Sequence, residues 1–173
     1  RSGYTGEDGL EIALPPSKAM SLAEKLAAHP DVEWIGLAAR DSLRLEAGLC
    51  LYGNDMDEKT TPVEAALLWA VPKALRQAGT FNGAAAFRKA LEAGASRKRV
   101  GLKAEGRMPV RGGALLFDAD GKEVGIVTSG GFGPTVNHPV AMGYVAQPDL
   151  DANGQIFADV RGTKVPVAVS PLP

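Results

Sequence analysis

The densest group of reactive side chains opens the chain. In Tyr4-Thr5-Gly6-Glu7-Asp8-Gly9-Leu10-Glu11, eight residues hold three carboxylates, two glycines and an aromatic ring. Glu7 and Asp8 suit a solvated turn between the glycines. Glu11 follows the turn inside an alternating apolar stretch, where a carboxylate either accepts from paired N–H groups on a planar heterocycle or faces water. Arg40 and Arg44 form a second group, spaced i, i+4 on an expected helix. Like charges so placed cost a few tenths of a kcal/mol, so either both have acidic partners or at least one points at an anionic or polar group.

Other candidates carry less. The single cysteine, Cys50, excludes an intramolecular disulfide and any multi-cysteine metal site, and fits a reducing compartment. It reads as a small core residue rather than a nucleophile, because neither His29 nor His138 lies near it in sequence. Each histidine precedes a proline and lacks metal-ligand spacing, so both read as surface or cap residues, and no metal is expected. Asp149, Asp151, Asn153 and Gly154 imitate the start of a calcium loop, but Val160 stands where the bidentate glutamate belongs. A hairpin loop is expected there instead. Ser129-Gly130-Gly131-Phe132-Gly133-Pro134 lacks the lysine and following helix of a phosphate cradle and reads as a turn or ligand lip.

The elements that must position these groups fall into two textures. Leu10, Ile12 and Leu14 alternate with Glu11 and Ala13, a strand over 9–14 that puts Glu11 on the face opposite the apolar side chains. Ser17 reads as an N-cap for a helix with Ala19, Leu22, Ala23 and Leu26 on one face, ended by His29-Pro30. A short strand over 32–37, a helix over 38–47 stopped by Gly48, a buried strand over 63–71 and a helix over 82–93 complete an α+β pattern. Trp34 and Trp69 read as core. From Val100 onward only strands are expected: 100–103, 114–117, 123–129, 141–145, 155–160 and 164–170. Turn residues separate them, including Asp120-Gly121, Asn153-Gly154 and Arg161-Gly162. Six short strands without a helix suggest a small antiparallel barrel or sandwich, with a domain boundary at 94–96.

Composition excludes several functions. The 173 residues suffice for one domain or two small ones, and 19 basic against 20 acidic residues leave a net charge of −1. That balance argues against a general nucleic-acid binder; the clearest basic run, Arg97-Lys98-Arg99, reads as a solvated strand edge. No apolar run approaches the ~18 residues of a membrane span, so a soluble chain is expected. Arg1-Ser2-Gly3-Tyr4 is neither an initiator methionine nor a secretion signal, and reads as the inside of a longer protein.

Several ordered motifs then converge on one family. Ser2-Gly3-Tyr4-Thr5-Gly6-Glu7-Asp8-Gly9-Leu10-Glu11-Ile12, Ala39-Arg40-Asp41-Ser42-Leu43-Arg44-Leu45-Glu46-Ala47-Gly48, Leu51-Tyr52-Gly53 and Thr60-Thr61-Pro62-Val63-Glu64-Ala65 closely resemble the glycine cleavage T-protein (aminomethyltransferase) family. The resemblance continues through Val100-Gly101-Leu102, Gly125-Ile126-Val127-Thr128-Ser129-Gly130 and Ala141-Met142-Gly143-Tyr144-Val145.

It implies an α+β fold: residues 1–95 as the C-terminal part of a ferredoxin-like, split α+β folate-binding domain, and 96–173 as a six-stranded antiparallel, jelly-roll-like β-barrel. It also implies a reaction without a metal. The methylene of the aminomethyl group on the lipoyl arm of H-protein passes to tetrahydrofolate, with release of ammonia. Glu11, Arg40 and Tyr4 match the family's folate-binding positions, and Arg107 and Arg111 face either H-protein or solvent. The family's catalytic aspartate lies N-terminal to the part matched here, so the resemblance implies a fragment inactive by itself with no catalytic residue to assign. The implied compartment is the bacterial cytoplasm, or the mitochondrial matrix in a eukaryote.

Two other readings share the fold: a folate-dependent demethylating module like those fused to sarcosine or dimethylglycine dehydrogenases, and a non-catalytic folate-binding or interaction module. Arg44 and Glu46 read as a structural pair.

Overall fold

Apolar side chains at helical spacing in Ala19, Leu22, Ala23 and Leu26 form α1, Pro16–Ala27. The structure, a computed structural model, describes residues 3–152 and 154–172. Arg1, Ser2, Asn153 and Pro173 lie outside it; Ser2 begins the first family motif, and Asn153 belongs to the expected Asn153-Gly154 turn and the calcium-loop imitation. Pro16 takes the first helical turn, where its missing N–H is no loss, so Ser17 lies inside the helix rather than capping it. Helix α2 spans Leu37–Glu46, and Gly48 behind it takes the left-handed φ of 67° that ends such a helix. A 3-10 turn at Leu68–Ala70 leads to α3, Lys73–Ala78, and α4, Ala84–Ala93. The six residues of α3 are too few to show a helical period in sequence.

Three expected strands do not form. Residues 9–14 and 32–37 run as irregular backbone, and 63–71 becomes turns and the 3-10 segment. A strand needs a neighbour for its N–H and C=O groups. Outside the named strands, the described residues offer only the isolated bridge between Tyr52 and Met56. Without a sheet to cover them, Leu10, Trp34 and Trp69 are 74%, 73% and 74% exposed, so neither tryptophan is a core residue.

The second texture folds as its turns dictate. β1 (Arg97–Ala104), β2 (Leu115–Phe117), β3 (Glu123–Gly133), β4 (His138–Ala146), β5 (Ile156–Val160) and β6 (Thr163–Ser170) close into an antiparallel barrel in the order β1-β4-β3-β2-β5-β6. Its interior holds Leu102, Val110, Leu116, Val127, Val145, Ile156, Ala158 and Val167. Asp120-Gly121 and Arg161-Gly162 make tight turns, with positive φ at Gly121, Arg161 and Gly162.

Two expected loops are regular structure instead. Residues 129–133 continue β3, and Gln147–Asp151 forms α5, where Asp149 pairs with Lys122 at 3.1 Å. Helix α2 packs against the outside of β3 and β4, so β4 is buried on both faces from Ala141 to Val145.

Candidate functional site

Residues 3–9 fold back on themselves and sit against the C-terminal end of α2. Gly6 makes this possible, since its φ is 83° and a Cβ there would lie 2.7 Å from that of Ala47. The turn delivers Tyr4 to Cys50, whose carbonyl accepts the phenol's hydrogen bond. One turn of α2 earlier than Arg44, Arg40 lays its guanidinium over the Tyr4 ring, 4.3 Å from the centroid. Burial raises the Tyr4 phenol above its ordinary pKa against the pull of Arg44 and Arg40, so it stays a donor. Burial also raises the Cys50 thiol, which keeps it protonated and a poor nucleophile.

Beneath this layer lies a buried ionic network. Arg44 is 1% exposed and Asp55 is also 1% exposed. Arg44 Nη1 donates to Asp55 Oδ2 at 2.7 Å, Nε donates to Asp41 Oδ1 at 2.7 Å, and Nη2 donates to Ser129 Oγ at 2.9 Å. Asp55 also accepts from the Leu51 N–H at 2.9 Å, from Ser129 Oγ at 2.8 Å and from Thr128 Oγ1. Tyr144 donates to the Asp55 carbonyl at 2.8 Å, its own pKa raised by burial to about 12. The buried charges of Arg44 and Asp55 face each other and both Asp55 oxygens have donors, the condition under which burying ions is tolerable.

The structure brings Tyr4 and Arg40 together. Glu11 is exposed on irregular backbone, and Arg40 is exposed at its stacked position. Arg107 lies 5.6 Å over the Phe132 ring with Nη2 3.4 Å from Asn137 Oδ1, while exposed Arg111 lines a separate cavity with Asp159 and Arg161. Arg44 does not pair with Glu46. Glu46 Oε1 instead accepts from the Thr135 and Val136 N–H groups at 2.8 and 3.1 Å. The basic run is not wholly solvated: Arg99 is 3% exposed and donates to the carbonyls of Ala65 and Gly48 at 2.8 and 3.0 Å. Arg99 lines a cavity of about 420 Å³ with Cys50, Trp69, Lys98 and Ser170.

Cys50 itself is half-buried rather than core. His29 is exposed beside Asp31, and His138 places Nδ1 2.8 Å from the Pro139 carbonyl. Among the described residues no group of three His, Cys, Asp or Glu side chains could hold a metal ion. Sequence reasoning missed Asp55, Thr128 and Ser129. The i, i+4 spacing of Arg40 and Arg44 is the one sequence signal that an acidic partner exists, and it does not single out Asp55.

The fold and site define an α+β protein in which a helix bearing an exposed arginine is tied to a closed six-stranded barrel through a buried Arg44–Asp55 ion pair that hydrogen-bonds to Thr128 and Ser129 of β3. Residues 1–74 match the family model described as the GCVT N-terminal domain, and 97–173 match the glycine cleavage T-protein C-terminal barrel domain. The chain belongs to the glycine cleavage T-protein family. The mitochondrial aminomethyltransferase of Gallus gallus is 49% identical over 173 residues, covering 100% of this chain and 44% of the relative. That of Homo sapiens is 46% identical, with 43% of its length covered. The crystal structure of glycine cleavage system aminomethyltransferase T from Bartonella henselae superposes with a TM-score of 0.94 at 58% identity, over 100% of this chain and 48% of that one. The chain thus spans less than half the length of these relatives.

Proposed function

We propose that this chain is part of a tetrahydrofolate-dependent aminomethyltransferase of the glycine cleavage system. The enzyme transfers the methylene of the aminomethyl group on the lipoyl arm of H-protein to tetrahydrofolate, releasing ammonia and leaving dihydrolipoyl H-protein. The observation that carries this reading is the agreement along the whole chain with an aminomethyltransferase structure at 58% identity and a TM-score of 0.94. The division into a folate-binding part, 1–95, and a barrel, 96–173, belongs to the same proposal, supported by the two family models that end at 74 and begin at 97.

In this reading Glu11 accepts from the N–H edge of the pterin, and Arg40 supplies planar paired donors that a lysine could not reproduce. Tyr4 lines the same pocket and backs the guanidinium. Arg107 and Arg111, both exposed beside the barrel, face the lipoylated H-protein. The reaction needs no metal, and it runs where the glycine cleavage system works, the bacterial cytoplasm or the mitochondrial matrix. No described helix is long and apolar enough to cross a membrane.

The test is a pair of titrations with the stable analogue 5-formyltetrahydrofolate and with lipoylated H-protein. Binding of both supports the transferase. Binding of folate with indifference to H-protein favours a demethylating or non-catalytic folate module, and binding of neither contradicts a folate site in this chain.

A further inference from the structure

Adjacent residues of a regular strand point to opposite faces, yet Thr128 and Ser129 both reach Asp55. The reason is a bulge. Val127 pairs with Gly143 and Ser129 with Met142, which leaves Thr128 as the extra residue of β3. A bulge of this kind re-aims a side chain at the expense of one rung of the ladder. Here both hydroxyls converge on the two oxygens of one buried carboxylate. The surrounding backbone is shaped to the same end: a Cβ on Gly112 would sit 2.7 Å from the Thr128 carbonyl.

From Asp55 a continuous series of contacts leads outward. Its Oδ2 holds the Leu51 N–H, the peptide group that contains the Cys50 carbonyl. That carbonyl takes the Tyr4 hydroxyl, and the Tyr4 ring carries the Arg40 guanidinium. Asp55 thus grips the very peptide unit that anchors the aromatic platform beneath Arg40. Through Arg44 it also clamps the helix from which Arg40 projects.

We propose that Asp55, seated by the Thr128 bulge, is a positioning residue that sets the direction of Arg40 through the Cys50–Leu51 peptide and Tyr4. The claim rests on the folate reading only for its consequence, since the arrangement of Arg40 is measurable without a ligand. Packing of the barrel against α2 and the aim of the ligand-facing arginine then become one event.

The test uses this chain labelled with ¹⁵N-arginine, with the Arg40 Nε–Hε resonance assigned from Arg40→Lys. Stacking over a ring shifts that resonance upfield. Tyr4→Phe keeps the ring but removes its anchor, Thr128→Val removes one hydroxyl from Asp55, and Asp55→Asn weakens the whole seat. Each is expected to move the Arg40 signal toward the value of a free arginine, with the amide signals of β5 and β6 unchanged. An Arg40 signal that stays in place in Thr128→Val and Tyr4→Phe overturns the proposal, whether or not Asp55→Asn folds. In the same samples, affinity for 5-formyltetrahydrofolate is expected to fall about tenfold as the signal moves, the loss typical of one misdirected polar partner. A moved signal with unchanged affinity sustains the positioning role and contradicts the folate reading.

Discussion

Arg44 and Asp55 leave solvent together, with side-chain exposures of 2% and 0%. Removing one partner strands the other's charge, so Asp55→Ala is expected to lower stability by about 3–5 kcal/mol, measured by urea unfolding. Tyr144 gives a second test. Its phenol keeps the proton in the folded state up to about 12, whereas an unfolded tyrosine loses it near its ordinary 10.0. Between those values the native state binds more protons than the unfolded one, so stability falls as pH rises from about 10 to 12. Tyr144→Phe removes its share of that slope and leaves the curve below pH 10 parallel to the original. At this scale the sequence was partly legible. Tyr4, Glu11 and Arg40 stood out by type and spacing, but Asp55 did not, because its partners Thr128 and Ser129 lie more than 70 positions away and only the fold unites them.

At the level of elements, the barrel strands were readable because alternation and turn chemistry agree there, with Arg161-Gly162 supplying the two positive φ values of a tight hairpin. The strands expected over 9–14, 32–37 and 63–71 had apolar alternation or composition but no partner edge, and pairing is a property of two segments rather than one. The glycine run in β3 shows the opposite error. Gly130 is not a turn residue but a point of close approach, where a Cβ would lie 1.8 Å from the Val110 carbonyl. Gly130→Ala is therefore expected to push the 105–114 loop off β3 and destabilise by about 1–3 kcal/mol, seen as a lowered Tm with the amide signals of that loop most disturbed.

For the molecule as a whole, burial is uneven. The barrel holds the core, while α1 buries none of its residues, and Leu10, Trp34, Ile35, Leu37 and Trp69 present apolar surface. Opening free energy follows such contacts, so amide exchange is expected to be slowest in β1, β3 and β4 and fast throughout α1. Exchange in α1 as slow as in β4 would contradict this distribution. The site sits where the two textures meet: Tyr4 and Arg40 on the open, helical side, and Thr128 and Ser129 on the closed barrel. Composition could not reveal that junction, though the motifs on either side of it were both visible.

The central claim, that Glu11 and Arg40 hold a folate, is tested most directly by calorimetric titration of 5-formyltetrahydrofolate into the native chain, Glu11→Gln and Arg40→Ala. The expected result is binding by the native chain that each substitution weakens by about 1–3 kcal/mol. Equal affinity in all three, or no binding by a native chain whose amide spectrum shows it folded, would contradict it.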